Sequence, residues 1–239
     1  MSKKYKGKTC AYCGDAVSDT ADHVFAREFF LESDRDQLPK APACESCNRR
    51  KADLEHYATA LLPFGDRHAA AASNLTTMVP KRLQKNAPLR REIAEGMRQV
   101  MTREGASRSP SLVIPVDTAR IADLFRLIAR GLVWCEFKTV LASDTVVELT
   151  WLNAALARHF EDEIFAPHGD YVVTRRLGND TVVYQGLQTS DCDQASVWRI
   201  AMYGGLWFAA EAGGPDAIAS TIGVFTRPRL APRAEPSGT

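Results

Sequence analysis

The chain has 239 residues, 45% of them apolar and 25% charged, and its 30 basic and 29 acidic side chains leave a formal net charge of +1. That is the composition of a soluble globular protein, with enough chain for one large domain or two small ones. No stretch approaches the roughly 18 consecutive apolar residues of a membrane helix.

The opening segment "MSKKYKGKT" is basic and is followed by a polar, Cys-rich stretch with no apolar run, so no export signal is read and a cytoplasmic location is expected. Four of the six cysteines fall as Cys10-x-x-Cys13 and Cys44-x-x-Cys47. Without an export signal this spacing favours a metal over disulfides, because each pair, held in a tight turn, presents two sulfurs to one ion. Zn²⁺ is the expected ion, in a closed structural site. The 30 residues between Cys13 and Cys44 must leave the site and return to it.

Inside that excursion, "ADHVF" is short and mostly apolar, which predicts a strand carrying Asp22 and His23 near the metal-organised core. The second cysteine pair runs directly into "CNRRKADLEHYATALL", which lacks Gly and Pro and predicts a helix whose buried face includes Leu54, Ala58, Leu61 and Leu62. On that helix Asn48, Lys51, Ala52 and Glu55 share one side, at spacings of three, four and seven. A strand bearing Asp and His opposite a helix bearing Asn, Lys and Glu is one way to build an oxygen-rich divalent-cation site beside a histidine that takes a proton from water. The cysteines by themselves predict no more than a zinc ribbon.

Residues 66 to 110 form a connector with 9 basic against 4 acidic side chains. Leu89, Ile93, Met97, Val100 and Met101 recur there at helical spacing, flanked by Arg91 and Arg98, which predicts an amphipathic helix with a basic side. Lys81, Arg82, Lys85, Arg90, Arg91, Arg98, Arg103 and Arg108 make this arm the expected source of salt-dependent, sequence-independent contact with a polyanion. Asp117 is placed to cap a helix with Ile121, Leu124, Phe125, Ile128 and Leu132 on its apolar face, and a second helix is expected over 149 to 160. The period then changes to two. "YVVTRR" and "TVVYQGLQT" flank a Gly-Asn-Asp turn, and "SVWRIAMYGGLWFAAEA" predicts one or two strands broken at Gly204-Gly205. Trp198, Tyr203, Trp207 and Phe208 are expected in the core, Cys135 and Cys192 as small buried thiols, and His68, His159 and His168 as surface or capping residues. Residues 226 to 239 read as a Pro- and Arg-rich disordered tail.

Taken together and in this order, "CAYCG" (10 to 14), "DHVF" (22 to 25) and "ACESCNRRK" (43 to 51) resemble the HNH endonucleases of the ββα-metal type, over about residues 8 to 62. With the segments read above, the expectation is an α+β chain: an HNH module at 1 to 65, for which the resemblance implies Zn²⁺ on Cys10, Cys13, Cys44 and Cys47, then a helical basic arm at 66 to 110, a small α+β domain at 111 to 225, and the tail. The resemblance further implies phosphodiester hydrolysis in DNA, with RNA as the alternative substrate, with His23 as general base and Asp22 and Asn48 on a catalytic Mg²⁺ or Mn²⁺. Glu55 or His56 stands in for a second helix ligand, and Lys51, Arg49 and Arg50 for phosphate contacts. The family's middle Asn has no counterpart between His23 and Asn48. That departure supports a second expectation, a zinc-stabilised nucleic-acid or protein binding module without cleavage. A third, by analogy with stand-alone members, is an anti-phage defence effector that acts as a homo-oligomer or with an ATPase partner.

Overall fold

A computed structural model describes residues 4–65, 68–104, 107–209 and 217–229. The N-terminal unit is a short hairpin followed by a long helix. Strand β1 (Thr20–His23) pairs antiparallel with β2 (Lys40–Ala43), placing Asp22 opposite Ala41 and His23 opposite Lys40. Helix α1 (Glu45–Leu61) starts at Cys44 and buries Tyr57, Ala58, Ala60 and Leu61. The expected strand and helix are therefore present, and Tyr57 joins the buried face because it lies one turn from Leu54 and Leu61.

The connector is only partly helical. α2 (Ala69–Thr77), α3 (Val79–Lys85) and α4 (Ala87–Gly96) are short, and they lead into a hairpin of β3 (Arg98–Glu104) and β4 (Ser107–Val113). The amphipathic helix expected to continue through Met101 instead stops at Gly96, where Met97 turns to extended geometry and Pro115 packs so close that a Cβ on Gly96 would sit 2.3 Å from its ring. Val100 and Met101 thus belong to a strand. The side chains of Arg103 and Arg108 lie outside the described residues, as do those of Trp207 and Phe208.

Helix α5 (Thr118–Phe137) is capped by Asp117, whose carboxylate accepts from the Ala119 and Arg120 amides, and all five residues of its expected apolar face are fully buried. The segment expected as a second helix divides into β5 (Val146–Asn153) and α6 (Ala154–Phe160). "VVELTWLN" alternates β-branched and aromatic residues with polar ones, which suits a half-buried strand, and Asn153 then caps α6 through the Leu156 amide. β6 (Val173–Leu177) and β7 (Val182–Gln188) flank the expected turn, where Gly178, Asn179 and Asp180 all have positive φ. β8 (Ser196–Met202), β9 (Leu206–Ala209) and β10 (Ala217–Arg227) complete an antiparallel sheet in the order β5-β10-β8-β7-β6, with β9 on the end of β10. β10 is central and was not foreseen; it also takes Thr226 and Arg227 out of the expected tail, whose last part, 230 to 239, lies outside the described residues.

The sheet separates two apolar layers. Trp198, Ile200, Ile222 and Val224 face α5 and the N-terminal unit, whereas Leu152 and Phe225 face Phe160 and Phe165 beyond α6. Gly186 is required by this packing, since a Cβ there would lie 2.2 Å from the Trp198 ring. One hydrophobic core runs from Cys10 through Phe25 and Tyr57 to Trp198 and Val224, so the boundaries read at 65/66 and 110/111 do not divide the core. α5 is the joint. Its Gly131 lies against Val24 and Tyr12, its Arg120 stacks on Tyr57 at 3.8 Å, and Asp117 N–H donates to Tyr57 Oη at 2.7 Å. Cys135 and Cys192 are half-buried rather than enclosed, and Cys135 Sγ donates to Lys40 O on β2. Tyr203 is buried as expected. His68 caps α2 through the Ala70 amide, and His159 and His168 are exposed. Among the described residues no helix is long and apolar enough to cross a membrane.

Candidate functional site

The cysteines come together at the base of the hairpin. Cys10 N–H donates to Ala16 O, Gly14 N–H donates to Cys10 O, and Gly14 at φ +81° closes the first turn. Cys44 sits at the N-terminal boundary of α1, with Cys47 in its first turn. Their ligand atoms lie within 4.8 Å of one another, the one such grouping of His, Cys, Asp or Glu among the described residues. A tetrahedral ion with metal–sulfur bonds of about 2.3 Å needs sulfurs about 3.8 Å apart, so the four cysteines are close enough to hold a structural metal ion such as zinc. Burial pushes the Cys47 thiol well up, with Cys44 adding to it, and burial raises Cys10 as well. Burial acts the same way on Cys44, but hydrogen bonds from Ser46 and Cys47 outweigh it and bring that thiol down to about 7. A dication would relieve the cost of gathering four sulfurs.

Directly beside this cluster lies a buried polar group built around Lys51. Its Nζ is fully enclosed, donates to His23 O at 2.7 Å, and pairs with Asp22 Oδ2 at 2.8 Å and with Glu55 one turn further along α1. Tyr12, inside the first cysteine turn, donates its hydroxyl to the same Asp22 Oδ2 at 2.5 Å. Asp22 is thereby held from the metal knuckle on one side and from α1 on the other, and both contacts fall on one oxygen. Asp22 Oδ1 has no hydrogen-bond partner among the described residues, which leaves it as the oxygen a cation can take.

Burial pushes the Glu55 carboxyl up to about 7, against the pull of Lys51, and pushes the Tyr12 hydroxyl well above the usual range. Folding therefore binds a proton at Glu55 that the unfolded chain has already released near pH 4.5, and this contribution to stability is present below that pH and lost as pH rises toward 7. Measured by denaturation from pH 4 to 8, the stability of the native chain relative to Glu55→Gln should fall across that window, since the amide mimics the protonated acid at every pH. A difference that stays constant would contradict the burial of Glu55.

His23 follows Asp22 as the last residue of β1, and its backbone carbonyl accepts from Lys51 Nζ. Its ring is half-buried and has no hydrogen bond among the described residues. Burial, then Lys40, lowers its pKa below the usual histidine value, which favours the neutral imidazole with a lone pair to accept a proton.

No family model, curated protein or solved structure matches this chain.

The other residues singled out in the sequence divide by environment. Asn48 lies on α1 one turn before Lys51, half-buried, and its side chain makes no hydrogen bond among the described residues. Lys51 differs from its expected place on an exposed phosphate-binding face: its ammonium is sealed among protein oxygens. Glu55 is committed to that ammonium. His56 is exposed and off this face. Arg49 pairs with Glu45 at the surface and Arg50 with Asp123 on α5. Arg82 is also not free, since its guanidinium bonds Thr59 O and Glu28 O and is half-buried. Lys81, Lys85, Arg90, Arg91 and Arg98 are exposed. Tyr12 was missed by the sequence reading. The available signal was an aromatic residue inside a Cys-x-x-Cys turn, where small or polar residues would suffice.

Proposed function

We propose that the chain is an HNH-type phosphodiesterase acting on DNA with a divalent cation. The observation that carries this reading is the juxtaposition of an Asp-His strand with the Asn48–Lys51–Glu55 face of a helix, on a four-cysteine cluster. The residues fit such a cation in chemistry: Asp22 Oδ1 and the Asn48 amide oxygen are hard donors without hydrogen-bond partners among the described residues, whereas Glu55 and His56 leave the expected ligand set. When bound, Mg²⁺ or Mn²⁺ supplies positive charge against the scissile phosphate and its leaving oxygen. His23 takes the proton from the attacking water, and burial favours the neutral ring for that task. Lys51 and Tyr12 hold the Asp22 carboxylate in place rather than touching substrate. Lys81, Lys85, Arg90 and Arg91 on α3 and α4 offer exposed charge for the phosphate backbone.

Two observations favour a second reading, a zinc-stapled nucleic-acid or protein binding module without cleavage. They are the missing hydrogen bond to the His23 ring and the lysine that neutralises Asp22. Titration of Mn²⁺ into the native chain and into Asp22→Asn, followed by cleavage of plasmid, separates the two. The nuclease reading predicts cleavage that needs Mn²⁺ or Mg²⁺, is blocked by EDTA, and falls at least 100-fold in Asp22→Asn, within the range for groups that act in the transition state. DNA binding with no cleavage in either ion supports the binding module.

A further inference from the structure

A buried cation stands beside the cysteine cluster without an ion pair among the described residues. Arg130 is only 7% exposed, on the face of α5 that packs toward the N-terminal unit, next to Gly131 against Tyr12 and Val24. Its Nη2 donates to Leu141 O at 3.0 Å and to Ala142 O at 2.6 Å, and it forms no ion pair among the described residues. Its Nε is buried and has no hydrogen-bond partner among the described residues. A buried guanidinium left in this state carries a large desolvation cost, because two carbonyl dipoles do not replace a counter-charge.

The loop that Arg130 grips is also the loop that supports the first cysteine turn. Gly14 lies so close to it that a Cβ there would be 2.3 Å from Leu141 O and 3.0 Å from Ser143 N. One carbonyl therefore touches both the guanidinium and the residue that follows Cys13. Four thiolates on one Zn²⁺ carry a net charge of −2, a charge that needs compensation in a buried setting. We infer that Arg130 is the counter-cation of the four-cysteine metal site, with its guanidinium offsetting the tetrathiolate dianion from beneath the Cys10–Cys13 turn. Burial lowers the pKa of Arg130, and the negative groups that oppose this effect are, in order, Cys13, Cys10, Cys47 and Asp15. The charge of a helix outside the zinc knuckle thus serves the metal, and the metal in turn holds α5 and the 141–143 loop against the N-terminal unit.

The test is zinc affinity, read by competition with a chelator in the full chain. Arg130→Gln should weaken Zn²⁺ binding about 10- to 100-fold, the usual range for groups just outside a metal's ligands, while Arg130→Lys, which keeps the charge, should stay within about threefold. A structural role alone would give the same penalty whatever the charge of the site. The Gln penalty is therefore measured again in Cys13→His, where the site carries −1, and should be clearly smaller there. Equal penalties in the two backgrounds, or unchanged affinity in Arg130→Gln, would overturn the assignment. If Arg130→Gln does not fold, hydrogen exchange of the native chain decides: removing zinc should expose α5 amides around Arg130 and those of 141–143, and exchange changes confined to the cysteine turns would refute it.

Discussion

Lys51→Met should cost about 3–5 kcal/mol, because it removes the cation from between two carboxylates whose side chains are only 13% and 15% exposed. For a chain of this size that corresponds to a fall in melting temperature on the order of 10 °C. The loss has two parts. Asp22 is left without its counter-charge, Glu55 is held protonated by burial, and His23 O loses its donor. Adding Asp22→Asn to Lys51→Met removes the stranded carboxylate and should recover at least about 1 kcal/mol, the coupling expected of residues in one network. A single Lys51→Met chain that melts within 2 °C of the native one would show that the ammonium is not the centre of this cluster.

The same network decides what can be asked of His23. Tyr12 and Lys51 fix Asp22 from opposite sides, and the strand pairing of His23 with Lys40 fixes the backbone from which the imidazole projects. A general base of this kind contributes about 10²- to 10⁴-fold to a rate, so His23→Ala should lower cleavage by at least 100-fold. Because the ring makes no hydrogen bond among the described residues, its loss should change the melting temperature little. That separation of activity from stability distinguishes His23 from Lys51, for which stability moves first.

Much of this arrangement was legible in the sequence, and the exceptions have physical causes. The cysteine spacing and the uninterrupted run after Cys47 predicted a metal cluster at the start of a helix, because both are local patterns. Helix periodicity put Asn48, Lys51 and Glu55 on one side of α1; that the Asp22 strand faces this side was a further expectation, and Lys51 is the residue that meets Asp22. What spacing does not encode is which partner a polar side chain takes. Lys51 was expected at the surface, but its length lets it reach Asp22 and Glu55 inside the fold, and the same holds for Arg82 at Thr59 O and Glu28 O. Tyr12 and Arg130 gain their meaning only from residues distant in sequence. β10 was missed; its strand geometry is fixed by pairing with β5 on one side and β8 on the other, partners distant in sequence. The β5–α6 boundary was missed because "VVELTWLNAALARHF" holds a strand pattern and a helix pattern end to end, with only Asn153 to mark the change.

The central claim is that His23 acts as a base in a cation-dependent phosphodiesterase. Nicking of supercoiled plasmid by the native chain and by His23→Ala, in Mg²⁺, Mn²⁺ and EDTA and with one zinc per chain verified in both, tests it most directly. The account predicts nicking by the native chain in Mg²⁺ or Mn²⁺, none in EDTA, and at least a 100-fold loss in the variant at equal zinc content and melting temperature. Equal nicking by the two chains, or none by either in any ion, would contradict it.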